Sequence, residues 1–225
     1  TDECKRYLRE ATEYVFAHAP DLAGVILITA SEYPSHCYCH QHRPEDEAER
    51  EQLVAEGKIC PRCAPRTPQE IIGEIVTLIQ QGARAAKPSA EVIAWNWSWN
   101  FYEPDPQRGV LERLPEGVIV MGDFERGTPT SCCGFEYVND EYSIKVIGPS
   151  GRFTGVAEFQ RGRGLPTYAK VQIGTTHEVG DLPYLPALGN IARKYRALRD
   201  SGVTGIMSCW NFGGHPSLAT ELAGE

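Results

Sequence analysis

The sequence predicts an α/β protein built around parallel strands, and three observations carry that reading. Short, β-rich apolar runs recur along the chain, each the length of one buried strand. Amphipathic segments with helical spacing lie between several of them. Capping and breaking residues fall at the joints. In order, residues 3–18 place Leu8, Ala11, Tyr14 and Val15 near helical spacing, and Pro20-Asp21-Leu22 ends that helix. Gly24–Thr29 is the first strand. Residues 33–66 form a Cys/His-rich insertion with an acidic, helical piece at Pro44–Glu56. Thr67-Pro-Gln-Glu70 then opens a helix: Thr as N-cap, Pro in the first turn, Glu at the third position. Ile71, Ile72, Ile75, Leu78 and Ile79 carry it to about Ala86. Further strands are expected at Val92–Trp97, Gly117–Asp123, Tyr168–Gly174 and Val203–Trp210. Pro104–Leu114 reads as partly helical, and Leu188–Ser201 as an amphipathic helix closed by Gly202.

At 225 residues, with 41% hydrophobic and 23% charged, the chain is read as one α/β domain over 1–225, with the inserted loop at 33–66. Its net charge of −8 argues against nucleic acid or an anionic membrane as partner. No apolar run reaches the length of a membrane span. No signal-peptide pattern is visible in this chain, and a thiolate metal site favours a reducing, cytoplasmic setting. No GxGxxG follows any strand, so dinucleotide binding has no support.

The insertion carries the strongest chemical signal. Cys37 and Cys39 form one close pair, Cys60 and Cys63 another. Four thiolates at this spacing converge on one soft cation, for which tetrahedral Zn²⁺ is the usual occupant. A closed four-thiolate site is structural, because no position remains for water. His36, His40 and His42 crowd the first pair and are the alternative ligands that a catalytic zinc would need. Adjacent Cys132 and Cys133 would strain a mutual disulfide, and Cys4 and Cys209 read as packed thiols.

The residues after each strand point to a site. The first strand is followed by Ser31-Glu32 and the second by Asn96-Trp97-Ser98-Trp99. The third ends in Asp123-Phe124-Glu125, and the fourth runs into Thr175-Thr176-His177-Glu178. The fifth ends in Trp210-Asn211-Phe212. Carboxylates and tryptophans at the C-terminal ends of parallel strands are where a (β/α)₈ barrel keeps its reactive groups. In this pattern the chain resembles the C-terminal five strands of a barrel glycoside hydrolase of the retaining superfamily known as clan A. The resemblance is one of position and covers most of the chain. It implies a partial barrel of about five β/α units, with Glu32 as acid/base and Glu178 as nucleophile. Trp210 would floor the sugar subsite. The usual Asn before the acid/base is Ser31 here, and the cysteine insertion is not general to the clan.

Five further side chains belong to the expected site. Asp123 and Glu125 form a rival carboxylate pair for substrate-assisted hydrolysis. His177 and Asn96 would contact substrate, and Trp99 would stack on a sugar. Trp95, Trp97, Trp99 and Phe101 alternate, which in an extended segment sends all four to one face. The expected activity is therefore hydrolysis of glycosides. Two alternatives stand beside it: zinc-dependent hydrolysis of phosphate or carboxylic esters, and a non-catalytic carbohydrate-binding fragment. A barrel lacking strands exposes sheet edges, so a homo-oligomer is expected if the barrel is incomplete.

Overall fold

The computed structural model describes residues 1–31, 36–38, 44, 46–174, 185–209 and 215–225. They form two compact units, Thr1–Ile119 and Val120–Glu225. The architecture is mixed α/β, with strands paired in parallel in both units. No described helix is long and apolar enough to cross a membrane.

In the first unit, α1 (Asp2–His18) leads to β1 (Gly24–Ile28). A short acidic helix, α2 (Glu47–Ala55), precedes the long α3 (Pro68–Ala86), which leads to β2 (Glu91–Trp95). The expected capping box at α3 is present: Thr67 Oγ1 accepts from the Glu70 amide at 3.3 Å, and Glu70 Oε2 accepts from the Thr67 amide at 2.8 Å. The apolar stripe buries Ile71, Ile72, Ile75 and Val76, while Leu78 and Ile79 stay half-buried. β1 and β2 pair in parallel from Gly24↔Glu91 to Ile28↔Trp95.

Beyond Trp95 the chain leaves the strand, and the expected alternation of aromatics ends there. Ser98 takes a left-handed backbone (φ 69°), and Trp99–Phe101 is a 3₁₀ turn. Trp99 consequently points inward and is fully buried, whereas Phe101 is 45% exposed. The polar stretch that follows contains only the single-turn α4 (Arg108–Leu111).

α1 packs against α3. The approach is closest at Gly82, where a β-carbon would lie 2.2 Å from the Arg9 carbonyl oxygen and 3.0 Å from Thr12 Cβ. A backbone oxygen cannot rotate aside, so the helices must separate to admit a methyl group. Gly82→Ala is expected to lower stability by about 1–3 kcal/mol, the usual cost of overpacking. The check is the urea midpoint at constant m-value; an unmoved midpoint would mean the contact yields freely.

In the second unit, β3 (Ile119–Asp123), β6 (Thr167–Lys170) and β7 (Val203–Met207) are parallel, with β6 in the middle. Asp123 is opposite Lys170, and Lys170 opposite Met207. Between β3 and β6 lie the hairpin β4 (Pro129–Cys132) and β5 (Phe135–Val138), then α5 (Gly151–Gly162) capped by Ser150. α6 (Leu188–Asp200) and α7 (Leu218–Gly224) complete the unit. Its core joins Phe124, Phe153, Val171, Ile173, Ile191 and Leu198. The Phe124 and Phe153 rings meet edge to face at 4.8 Å. The hairpin, α5 and α7 were not anticipated from the apolar pattern. The hairpin strands have no buried residue to give them a period, and α5 contains three glycines.

Candidate functional site

The cysteine segment is assembled by its neighbours rather than by its own apolar content. His36 Nε2 lies 2.8 Å from the Thr29 carbonyl just past β1, and His36 Nδ1 accepts the Tyr38 amide at 3.1 Å. Accepting at Nδ1 places the ring proton on Nε2, where it is donated to Thr29. Burial, partly offset by that Thr29 contact, holds the imidazole down at about 4, so it is neutral at physiological pH. Tyr38 is buried, with its hydroxyl 3.0 Å from the Cys63 carbonyl and 3.1 Å from the Arg66 carbonyl. The Tyr102 hydroxyl donates to the Tyr38 carbonyl. Cys37 is thus held between two anchored residues.

The second pair forms its own turn. The amides of Cys63 and Ala64 both donate to the Cys60 carbonyl, at 3.0 and 3.1 Å. Ile59, fully buried, pins the entry to the turn. The Cys60 amide reaches Cys37 Sγ at 3.4 Å, closing the group. The ligand sulfurs of Cys37, Cys60 and Cys63 all lie within 4.8 Å of one another. Bonds of about 2.3 Å to one tetrahedral ion put sulfurs about 3.8 Å apart, a small rotamer adjustment away.

The three thiols perturb one another. Burial raises the Cys60 thiol, but the Cys63 and Arg62 amides and the Cys37 thiol outweigh it and bring it down to about 7. Cys63 is pushed up to about 12, by burial first and by the Cys60 and Cys37 sulfurs next. One thiolate forms readily and opposes the others, so a bound cation is what would let them ionise together. The residues present fit a thiophilic metal ion. His36, an expected alternative ligand, lies outside the three-sulfur group, and both its ring nitrogens are engaged elsewhere. Cys39, His40 and His42 lie outside the described residues, as do Glu32, His177, Glu178 and Trp210.

At the adjoining strand ends, Trp99 Nε1 donates to Thr29 Oγ1 at 2.9 Å, which ties the turn after β2 to the end of β1. With 0% exposure, Trp99 has no free ring face for a sugar; its role here is to brace the two strand ends. Asn96 is also fully buried, and its Nδ2 donates to Gln107 Oε1 at 3.3 Å. Asn96 Oδ1, Ser98 Oγ and Asn100 Oδ1 are buried without a hydrogen-bond partner among the described residues. Three such atoms within five residues are unusual, because buried polar groups are nearly always paired.

The second unit holds a separate charged cluster at the ends of β3 and β6. Asp123 is buried, its Oδ2 at 3.6 Å from Arg152 Nη1 and 3.9 Å from Arg126 Nη1. Glu125 is 1% exposed and its oxygens are occupied. Oε1 accepts from Lys194 Nζ and, at 2.9 Å, from the Gln172 amide, while Oε2 accepts from the Ser143 amide at 3.4 Å. Lys194 Nζ in turn donates to the Ser143 carbonyl at 2.8 Å and the Gln172 carbonyl at 3.0 Å. Glu125 is therefore a buried brace whose oxygens are taken up inside the unit. Lys170, also fully buried, lies 4.0 Å from the Tyr142 ring centroid. Burial pushes both lysines down; Glu125 opposes this in each, joined by Asp123 at Lys170. Neither lysine was foreseen as a site residue. Their signal was a Lys at strand position 170 within an apolar run, and a Lys three residues after Ile191 and four before Leu198.

No protein-family model and no curated protein sequence matches the chain. Among solved structures it is similar to a hyperthermophilic endo-β-1,4-glucanase in complex with substrate, with TM-score 0.36 and 12% identity, over 95% of this chain and 89% of that chain.

Proposed function

We propose that this chain is a hydrolase of glycosides, built on part of a (β/α)₈ barrel, with Glu32 as acid/base and Glu178 as nucleophile. The observation that carries the reading is the set of oxygens of Asn96, Ser98 and Asn100 just past β2, buried and without a hydrogen-bond partner among the described residues. Parallel strands present ligand sites at their C-terminal ends, and unsatisfied polar atoms there suit hydroxyl groups of a carbohydrate. Retention requires the two carboxyl groups to stand about 5 Å apart, one protonated and one ionised. Glu178→Gln keeps the shape and removes the nucleophile. Its turnover on aryl glycosides should fall to background while circular dichroism is unchanged. Undiminished turnover in that variant rules the mechanism out.

A second reading rests on a different observation. Cys37, Cys60 and Cys63 line a cleft of about 1240 Å³ that also receives Lys58, Arg62 and Arg66. A metal ion held by three thiolates with its fourth position open to this cleft would lower the pKa of bound water to about 7. Arg66 is paired with Glu74 and Lys58 with Glu56, so Arg62 is the cation this reading assigns to an anionic ester. With Cys39 as fourth ligand the position is closed and the ion is structural, which is the arrangement we assign beside the glycosidase reading.

A further inference from the structure

The hairpin of the second unit carries cysteines that neither reading uses. β4 and β5 pair antiparallel, Cys132 opposite Phe135, so Cys133-Gly134 is a two-residue turn. Both have positive φ, 51° and 82°, the mark of a type I′ turn. The base of the hairpin is fixed: the Gly127 amide donates to the Asn139 carbonyl at 2.7 Å, and the Asn139 amide to the Thr128 carbonyl at 2.9 Å. Lys145 Nζ donates to the Ser131 carbonyl at 2.6 Å, holding the strand next to Cys132. On this frame Cys132 and Cys133 are both free and exposed, with their sulfurs 3.8 Å apart.

The geometry points to a second thiol site, a two-sulfur clamp for a soft cation of low coordination number, of which Cu(I) is the type. Two bonds of about 2.3 Å to a two-coordinate ion, which prefers its donors nearly opposite, put the sulfurs up to about 4.6 Å apart, so the pair at 3.8 Å closes on it with a spread of less than about 1 Å in two exposed side chains. Thiolates select soft ions over hard ones. On binding, each thiol releases one proton and each sulfur donates one electron pair; no electrons are transferred. The clamp needs no disulfide, which adjacent cysteines form only with strain. It is also distinct from the Cys37, Cys60 and Cys63 group, which lies in the other unit.

The test uses the full chain loaded with zinc, titrated with Cu(I) under anaerobic conditions against a chromophoric Cu(I) chelator. One Cu(I) per chain should bind without zinc release. Cys132→Ser and Cys133→Asn should each weaken that binding by about 100-fold or more, the effective-concentration advantage of a linked second donor. Asn tolerates positive φ, so Cys133→Asn keeps the turn while removing the sulfur. The clamp is overturned if either variant holds Cu(I) as tightly as the parent, or if copper uptake tracks zinc release instead of the hairpin cysteines.

Discussion

Lys194→Met is expected to destabilise the second unit by about 3–5 kcal/mol, the cost of leaving a buried charge without its partner. The magnitude follows from what the pair joins. Glu125 takes the amides of Gln172 and Ser143, and Lys194 takes the carbonyls of the same two residues. One ion pair thereby links the backbone beyond β6 to the loop before α5, and α6 supplies the lysine. Many buried ion pairs can be exchanged for apolar residues with little loss. This one should not allow it, because four backbone contacts depend on the two side chains. Lys194→Met with Glu125→Leu should be no more stable than Lys194→Met alone. Urea unfolding of the parent, both single variants and the double variant closes the cycle. A double variant that regains parental stability would show the backbone groups find other partners, and the brace would be dispensable.

How legible this molecule was depends on what each segment buries. α3 was readable to the residue because Thr67, Pro68 and Glu70 encode its start and its isoleucines encode its face. The strands were readable in place but, β3 apart, were drawn too long at their C-terminal ends. β2 stops at Trp95, just before the turn at 97–98, and β6 at Lys170, beyond which Val171 and Ile173 stay buried in the core without extending the strand. Trp99 became an expected sugar platform because the alternation of aromatics was carried on past the strand. An alternating pattern says nothing once the backbone leaves the extended region, and the left-handed Ser98 is what redirects the ring. The ion pair of Glu125 was hidden for another reason: its partner is 69 residues away, and a long-range ion pair leaves no local mark. The cysteine group was legible because ligand spacing is local. What spacing did not reveal is that His36 and Tyr38 act as ties, placing Cys37 against the Cys60–Cys63 turn.

If the cysteine group holds a metal ion as proposed, removing that ion is expected to have the largest effect on the first unit. Among the described residues from His36 to Arg66, the buried apolar side chains are Tyr38, Leu53 and Ile59. A site filled at a thousand times its dissociation constant stabilises by about 4 kcal/mol, and structural zinc sites commonly exceed that. Chelation should therefore lower the melting temperature and open the segment to trypsin at Lys58, Arg62 and Arg66, with Cys60→Ser behaving in the same way. The hydrolytic rate separates the two functional readings. If the ion is a scaffold, rate and trypsin resistance fall together and return together when zinc is restored. If the ion activates water, the rate falls first, while circular dichroism and trypsin resistance persist. Chelated protein that melts and digests like the untreated chain would remove the metal from both readings. His36 supplies an independent check on the scaffold. Its neutral ring donates to Thr29 and accepts from Tyr38, so His36→Phe should loosen the same segment even with zinc in excess.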